Sequence, residues 1–165
     1  MAKKLLNWAK QALLLLVVAI VLSGALDWWR SKDIDRTNLP PLVGTSLKKM
    51  PIDLASLSQD QAVLVYFWGT WCHVCNYVTP AVNSMATHYP TITVALGSGD
   101  DNRMNQYLYH HEYQFTVLND PNNSLGQSWK ISVTPTILVI KNNQVEYFTT
   151  GFTSLPGLWW RMLTA

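Results

Sequence analysis

Both cysteines of this 165-residue chain lie in one pentapeptide, Trp71-Cys72-His73-Val74-Cys75. Two thiols one helical turn apart share a face and can meet as a disulfide. The apolar run just before them, residues 62–68, is rich in β-branched and aromatic side chains and predicts a buried strand. A helix is expected from residue 73. Cys72 then falls in its first turn, where unpaired N–H groups and the helix dipole favour an anion. That setting depresses a thiol's pKa and stabilises the thiolate. Cys75, one turn further in, is expected to be the more buried. The chemistry is thiol–disulfide exchange: Cys72 attacks or receives attack, and Cys75 resolves the mixed disulfide.

Other uses of the pair compete. A purely structural bridge across so small a loop removes little chain entropy. Two thiolates are soft ligands for Cu(I), which keeps a copper-handling binding module as an alternative. His73, His88, His110 and His111 supply no second ligand pair at metal-site spacing, so no metal site is assigned. Covalent haem attachment needs a histidine straight after the second cysteine, and that position is Asn76. No cofactor is expected beyond the Cys72–Cys75 pair itself. His73 adds partial positive charge beside Cys72, and a stabilised thiolate makes the disulfide more oxidising.

The elements that must position these residues alternate from Pro51 onward. A helix is predicted over 73–89, kinked at Pro80. A strand over 91–96 ends at Gly97-Ser98-Gly99, which lacks a nucleotide-binding context and reads as a turn. A helix from Asp100-Asp101 to about residue 113 carries its acids where the dipole favours them. A short strand over 115–118 and a short helix over 122–130 follow. A strand over 136–140, a turn at Asn142-Asn143 and a strand over 145–150 form a hairpin. Gly151 breaks it, and a helix over 154–164 closes the chain. The order β-α-β-α-β-α-β-β-α predicts an α/β domain with a mixed central sheet covered by helices. Tyr66 and Trp68 read as core. Of Trp159-Trp160, one ring is expected on the sheet and the other at an edge. His110-His111 reads as a solvated helix face. No nucleophile-elbow spacing supports hydrolase chemistry.

The N-terminus differs from the rest. Lys3, Lys4 and Lys10 precede an apolar run over 12–26, and Trp8, Trp28 and Trp29 flank it like an interfacial belt. Residues 1–29 are expected to be a cytoplasmic tip and a single-pass anchor spanning 8–29, with basic residues on the cytoplasmic side. A signal peptide cut after Ala25, at Ser23-Gly24-Ala25, is the competing reading. Either places the remainder in an oxidising compartment. Residues 30–51, with Leu39-Pro40-Pro41, Gly44 and Pro51, read as a linker, and 52–165 as the domain. The formal net charge of +2 divides into +3 over residues 1–39 and −1 over 40–165, so no basic excess in the domain favours a nucleic-acid partner.

Thr134-Pro135-Thr136 stands at the entry to the predicted 136–140 strand, where a proline is consistent with a cis bond in a tight turn. Trp71-Cys72-x-x-Cys75, Pro80 five residues on, and Thr134-Pro135-Thr136 together resemble the thioredoxin superfamily, over roughly residues 43–163. With the expected anchor, the helix and strand between Asp100 and Leu118, and Asp120-Pro121 followed by Trp129-Lys130-Ile131, the resemblance is to its membrane-tethered TlpA/ResA-like branch. Within that branch it is to the copper-sensitivity suppressor group of Gram-negative bacteria. The resemblance implies a thioredoxin fold with a TlpA-like helix–strand insertion. It implies a cis Pro135 against the disulfide, and Trp71 covering the site. The Thr134 backbone would pair with substrate, with His73 and Val74 tuning the poise. It further implies a domain held in the periplasm on the inner membrane, acting on exported protein thiols and disulfides. Electrons would come from a transmembrane thiol transporter, with a dithiol oxidant as the alternative. Two acids common in such proteins are replaced: Tyr66 stands where thioredoxin has a buried Asp, and Val78 where cytochrome-maturation members have a Glu. Neither takes a proton from Cys75, which leaves His73 as the nearest candidate.

Overall fold

The structure, a computed structural model, describes residues 36–165 continuously and residues 7–8, 10–11, 13–15, 17–18, 21–22 and 25 before them. The chain divides into two units, 1–33 and 34–165. In the first, the described residues are helical, and the apolar ones among them, such as Trp8, Leu13, Leu15 and Val21, are exposed. No helix among the described residues is long and apolar enough to cross a membrane. Half of the residues of the expected anchor over 8–29, and Ser23 and Gly24 of the expected cleavage site, lie outside the described residues.

The second unit is built on a five-stranded sheet in the order β5-β4-β3-β6-β7. Its strands are β3 (Val63–Trp68), β4 (Thr91–Leu96), β5 (Thr116–Asp120), β6 (Thr136–Lys141) and β7 (Gln144–Thr150). β3–β4 and β4–β5 are parallel, while β3–β6 and β6–β7 are antiparallel, which makes the sheet mixed as expected. All six residues of β3 are buried because both faces are covered. Leu64, Tyr66 and Trp68 meet α2 (His73–Met85), α3 (Asp101–His110) and α5 (Leu155–Thr164) through Val78, Val82, Met104, Leu158 and Met162. Val63, Val65 and Phe67 face the other way, into a cluster with Ile52, Leu54 and Trp129. The strand's two-residue period sorts one continuous apolar run into two cores.

Differences from expectation sit at the element ends and before residue 52. β1 (Val43–Thr45) pairs antiparallel with β2 (Pro51–Asp53), and a one-turn helix α1 (Leu54–Leu57) follows, capped by Asp53. Residues read as the end of a linker are therefore folded: Leu42 is buried, and its carbonyl accepts the Leu54 N–H. Strands of three residues carry too little pattern to stand out. α2 ends at Met85 and α3 at His110, each about one turn early. β5 runs two residues past Leu118, and α4 is reduced to Ser124–Ser128. Trp159 packs edge-on against His88 and Tyr89 beyond the end of α2 and against the core cluster that holds Leu64, Tyr66 and Val139, while Trp160 is exposed.

Candidate functional site

β3 delivers the chain to Gly69, whose carbonyl accepts the Cys72 N–H at 3.1 Å and turns it into α2. Cys72 is the N-cap of that helix, one position earlier than the first turn expected. Its Sγ accepts the Cys75 N–H at 3.2 Å, the role a serine or aspartate oxygen plays in most caps. The electrostatic consequence is unchanged: the sulfur faces the positive end of the helix dipole and an amide donor, both of which favour a thiolate. Cys72 and Cys75 form a disulfide, with Cα atoms 5.3 Å apart. Cys72 is 6% exposed and Cys75 1%, so the outer sulfur is that of Cys72.

Trp71 is exposed, and its indole N–H donates to the Leu96 carbonyl at 2.9 Å. The ring lies over Gly69, where a Cβ would stand 2.6 Å from Nε1. Ser98, buried, ties this loop to the next: its Oγ accepts the Thr70 N–H at 3.0 Å and donates to the Leu96 carbonyl. Neither Gly69 nor Ser98 was legible as a site residue. A glycine between strand and Trp-Cys was the only signal.

The Thr134–Pro135 bond is cis and Pro135 is buried. Its carbonyl accepts the Gly151 N–H, and the Thr136 hydroxyl donates to the Val133 carbonyl, so the turn is held on both sides. The Thr134 backbone makes no hydrogen bond among the described residues. Thr134 and Trp71 line one cavity of about 210 Å³ together with Gly97, Asn123 and Ile131. Two residues some sixty positions apart in sequence thus share a wall, one of them the neighbour of Cys72 in the chain. His73 and Val74 are exposed at the start of α2, and among the described residues the His73 imidazole makes no hydrogen bond.

Behind the disulfide the polar contacts are different from those anticipated. The Thr79 hydroxyl donates to the Cys75 carbonyl at 2.7 Å. With its proton committed there, Thr79 Oγ1 accepts from the Tyr66 hydroxyl at 2.9 Å. Burial holds the Tyr66 phenol well above the usual tyrosine range, so it is a neutral donor and no base. The polar pair behind Cys75 is therefore Tyr66–Thr79, two neutral hydroxyls. Among the described residues no group of three or more His, Cys, Asp or Glu side chains could hold a metal ion.

A capped sulfur over a buried partner, an adjacent unpaired backbone segment and an exposed indole suit one chemistry: exchange with another chain's thiol or disulfide. Fold and site together define a thiol–disulfide oxidoreductase built on the thioredoxin plan. The chain belongs to the thioredoxin-like family, which matches it over residues 60–146. A thioredoxin-like protein of Haemophilus influenzae is 39% identical over 168 residues, covering 99% of this chain and 96% of that one. The thiol-disulfide oxidoreductase ResA of Oceanobacillus iheyensis is 25% identical over 122 residues, covering 70% of this chain and 62% of its own. A secreted Mycobacterium tuberculosis disulfide oxidoreductase homologous to E. coli DsbE shares the fold, with a TM-score of 0.64 and 23% identity over 75% of this chain and 96% of that one. The protein is a protein-disulfide oxidoreductase.

Proposed function

We propose that this chain is a periplasmic protein-disulfide reductase, tethered to the inner membrane through residues 8–29. In this reading Cys72 is the nucleophile and Cys75 the resolving thiol. Exported proteins are the substrates, and a transmembrane thiol transporter is the electron donor. The observation that carries the exchange chemistry is the Cys72 sulfur at the helix N-cap, next in sequence to Trp71, which shares a cavity wall with Thr134, whose backbone makes no hydrogen bond among the described residues. Substrate would add to Thr134 as a short β-pair and present its sulfur to Cys72. The exposed apolar side chains of the helical N-terminal residues support the tether. The resemblance to the copper-sensitivity group suggests a role in tolerance of copper, whose ions damage exported thiols.

The N–H donor on Cys72 favours a second reading. A sulfur stabilised as thiolate makes its disulfide a better oxidant, so the pair would serve as a dithiol oxidant. Acid quenching and thiol alkylation of intact cells separates the two. A mostly reduced pair in an oxidising compartment requires a dedicated electron supply and supports the reductase. A mostly oxidised pair that reacts with a model dithiol supports the oxidant. A mostly oxidised pair inert to that dithiol overturns both.

A further inference from the structure

Trp71 stands between two cavities. The one shared with Thr134 is lined by apolar and uncharged groups. The other, of about 450 Å³, is lined by Thr70, Trp71, Gly97, Ser98, Arg103 and Tyr107. Among the described residues, Arg103 is the only charged one lining either. Its stem lies back across the 97–99 turn: Gly99 has φ +99°, and a Cβ there would stand 2.6 Å from the arginine Cδ. Glycine at this position is what lets the arginine rest on that turn. The two nearest acids in sequence have other partners. Asp100 Oδ1 accepts the Arg103 backbone N–H at 2.8 Å, and Asp101 Oδ1 accepts from Asn119 at 2.9 Å. The guanidinium forms no ion pair among the described residues. Tyr107, half-buried in the same wall, is held protonated by burial and can only add a neutral donor.

We propose that this second cavity is a subsite for an acidic side chain of the substrate polypeptide, an Asp or Glu close to the reacting cysteine, with Arg103 as the specificity-determining cation. The inference rests on the protein-exchange reading above. A planar guanidinium offers a carboxylate two parallel donors, and the lining holds no carboxylate to compete. A polypeptide crossing Trp71 in extended form presents neighbouring residues to either side of the indole. The neutral cavity then takes an uncharged side chain and the Arg103 cavity a carboxylate.

The test uses the full-length oxidised protein and two synthetic peptide dithiols, identical except that Asp or Lys flanks the cysteines. In a single turnover two electrons and two protons pass from the peptide to the Cys72–Cys75 disulfide, leaving a peptide disulfide and the protein dithiol. Each rate is divided by that of the same peptide with oxidised dithiothreitol, which removes the effect of flanking charge on the peptide's own thiol. The Asp peptide is expected to react about fivefold faster than the Lys peptide at low ionic strength, and the gap should close at high salt. Arg103→Glu should invert the order and Arg103→Ala should remove it. Lys49→Glu, on the β1–β2 turn and lining neither cavity, should preserve it. Equal rates for the wild type, an acidic preference that survives Arg103→Glu, or its loss in Lys49→Glu would overturn the subsite. Reaction with neither peptide would overturn the exchange reading along with it.

Discussion

At Cys72 a sulfur takes the place of the usual oxygen cap, and at Cys75 a pair of neutral hydroxyls takes the place of a carboxylate. These positions define the first two expectations. Cys72→Ser should abolish exchange, because serine still caps the helix but cannot attack a disulfide. Cys75→Ser should leave Cys72 able to attack and should trap a mixed disulfide, visible on a non-reducing gel. Full activity in Cys72→Ser would overturn the assignment of the nucleophile. Tyr66→Phe removes the bond to Thr79 and should cost about 1 kcal/mol near neutral pH, read from urea unfolding. It should also flatten the alkaline limb. The folded state raises the Tyr66 pKa, so its contribution is whole below the ordinary tyrosine value and is lost as pH rises from there towards the folded one. Tyr107 and Tyr113, raised by burial in the same sense, should leave a smaller residual slope.

Among the elements, α4 does the most positioning for its length. Asn123 at its N-terminus has φ +58° and makes no capping bond. The orphan N–H groups are met by Asp120, at the end of β5: Oδ1 accepts the Ser124 N–H at 2.8 Å and the Ser124 hydroxyl, and Oδ2 accepts the Gly126 N–H at 3.0 Å. Asp120 is 3% exposed, so these bonds replace the water it lost. Asp120→Asn turns one acceptor into a donor facing an N–H. It should cost about 2–3 kcal/mol in urea unfolding. A loss within error of zero would mean that α4 is held by Leu125 and Trp129 packing alone. Because residues 131–134 follow directly, the same variant should slow exchange with peptides more than with a small dithiol.

For the whole molecule, residues 1–33 and 34–165 are separate units and make separate predictions. If residues 8–29 span the bilayer, an alkaline carbonate wash of cell membranes should leave the full chain in the pellet, while release into the supernatant would remove the anchor. Much of the domain was legible in the chain itself. The run into Trp71-Cys72-His73-Val74-Cys75 identified the strand, the helix start and the redox pair, because local geometry alone makes two thiols one turn apart reactive partners. Thr134-Pro135 could be marked from its place at a strand entry. Sequence order also sufficed for a mixed sheet, since an alternation that ends in a hairpin has few other solutions. Local pattern could not decide which distant loops meet. Gly69 and Ser98 matter only because the indole lies over one and the other joins two turns. Arg103 reads as an ordinary helix-surface cation until the parallel pairing of β3 and β4 brings the 97–103 segment to Trp71. Chemistry carried by neighbours in sequence is written in the sequence, whereas recognition assembled from separate loops exists only once the sheet has ordered them.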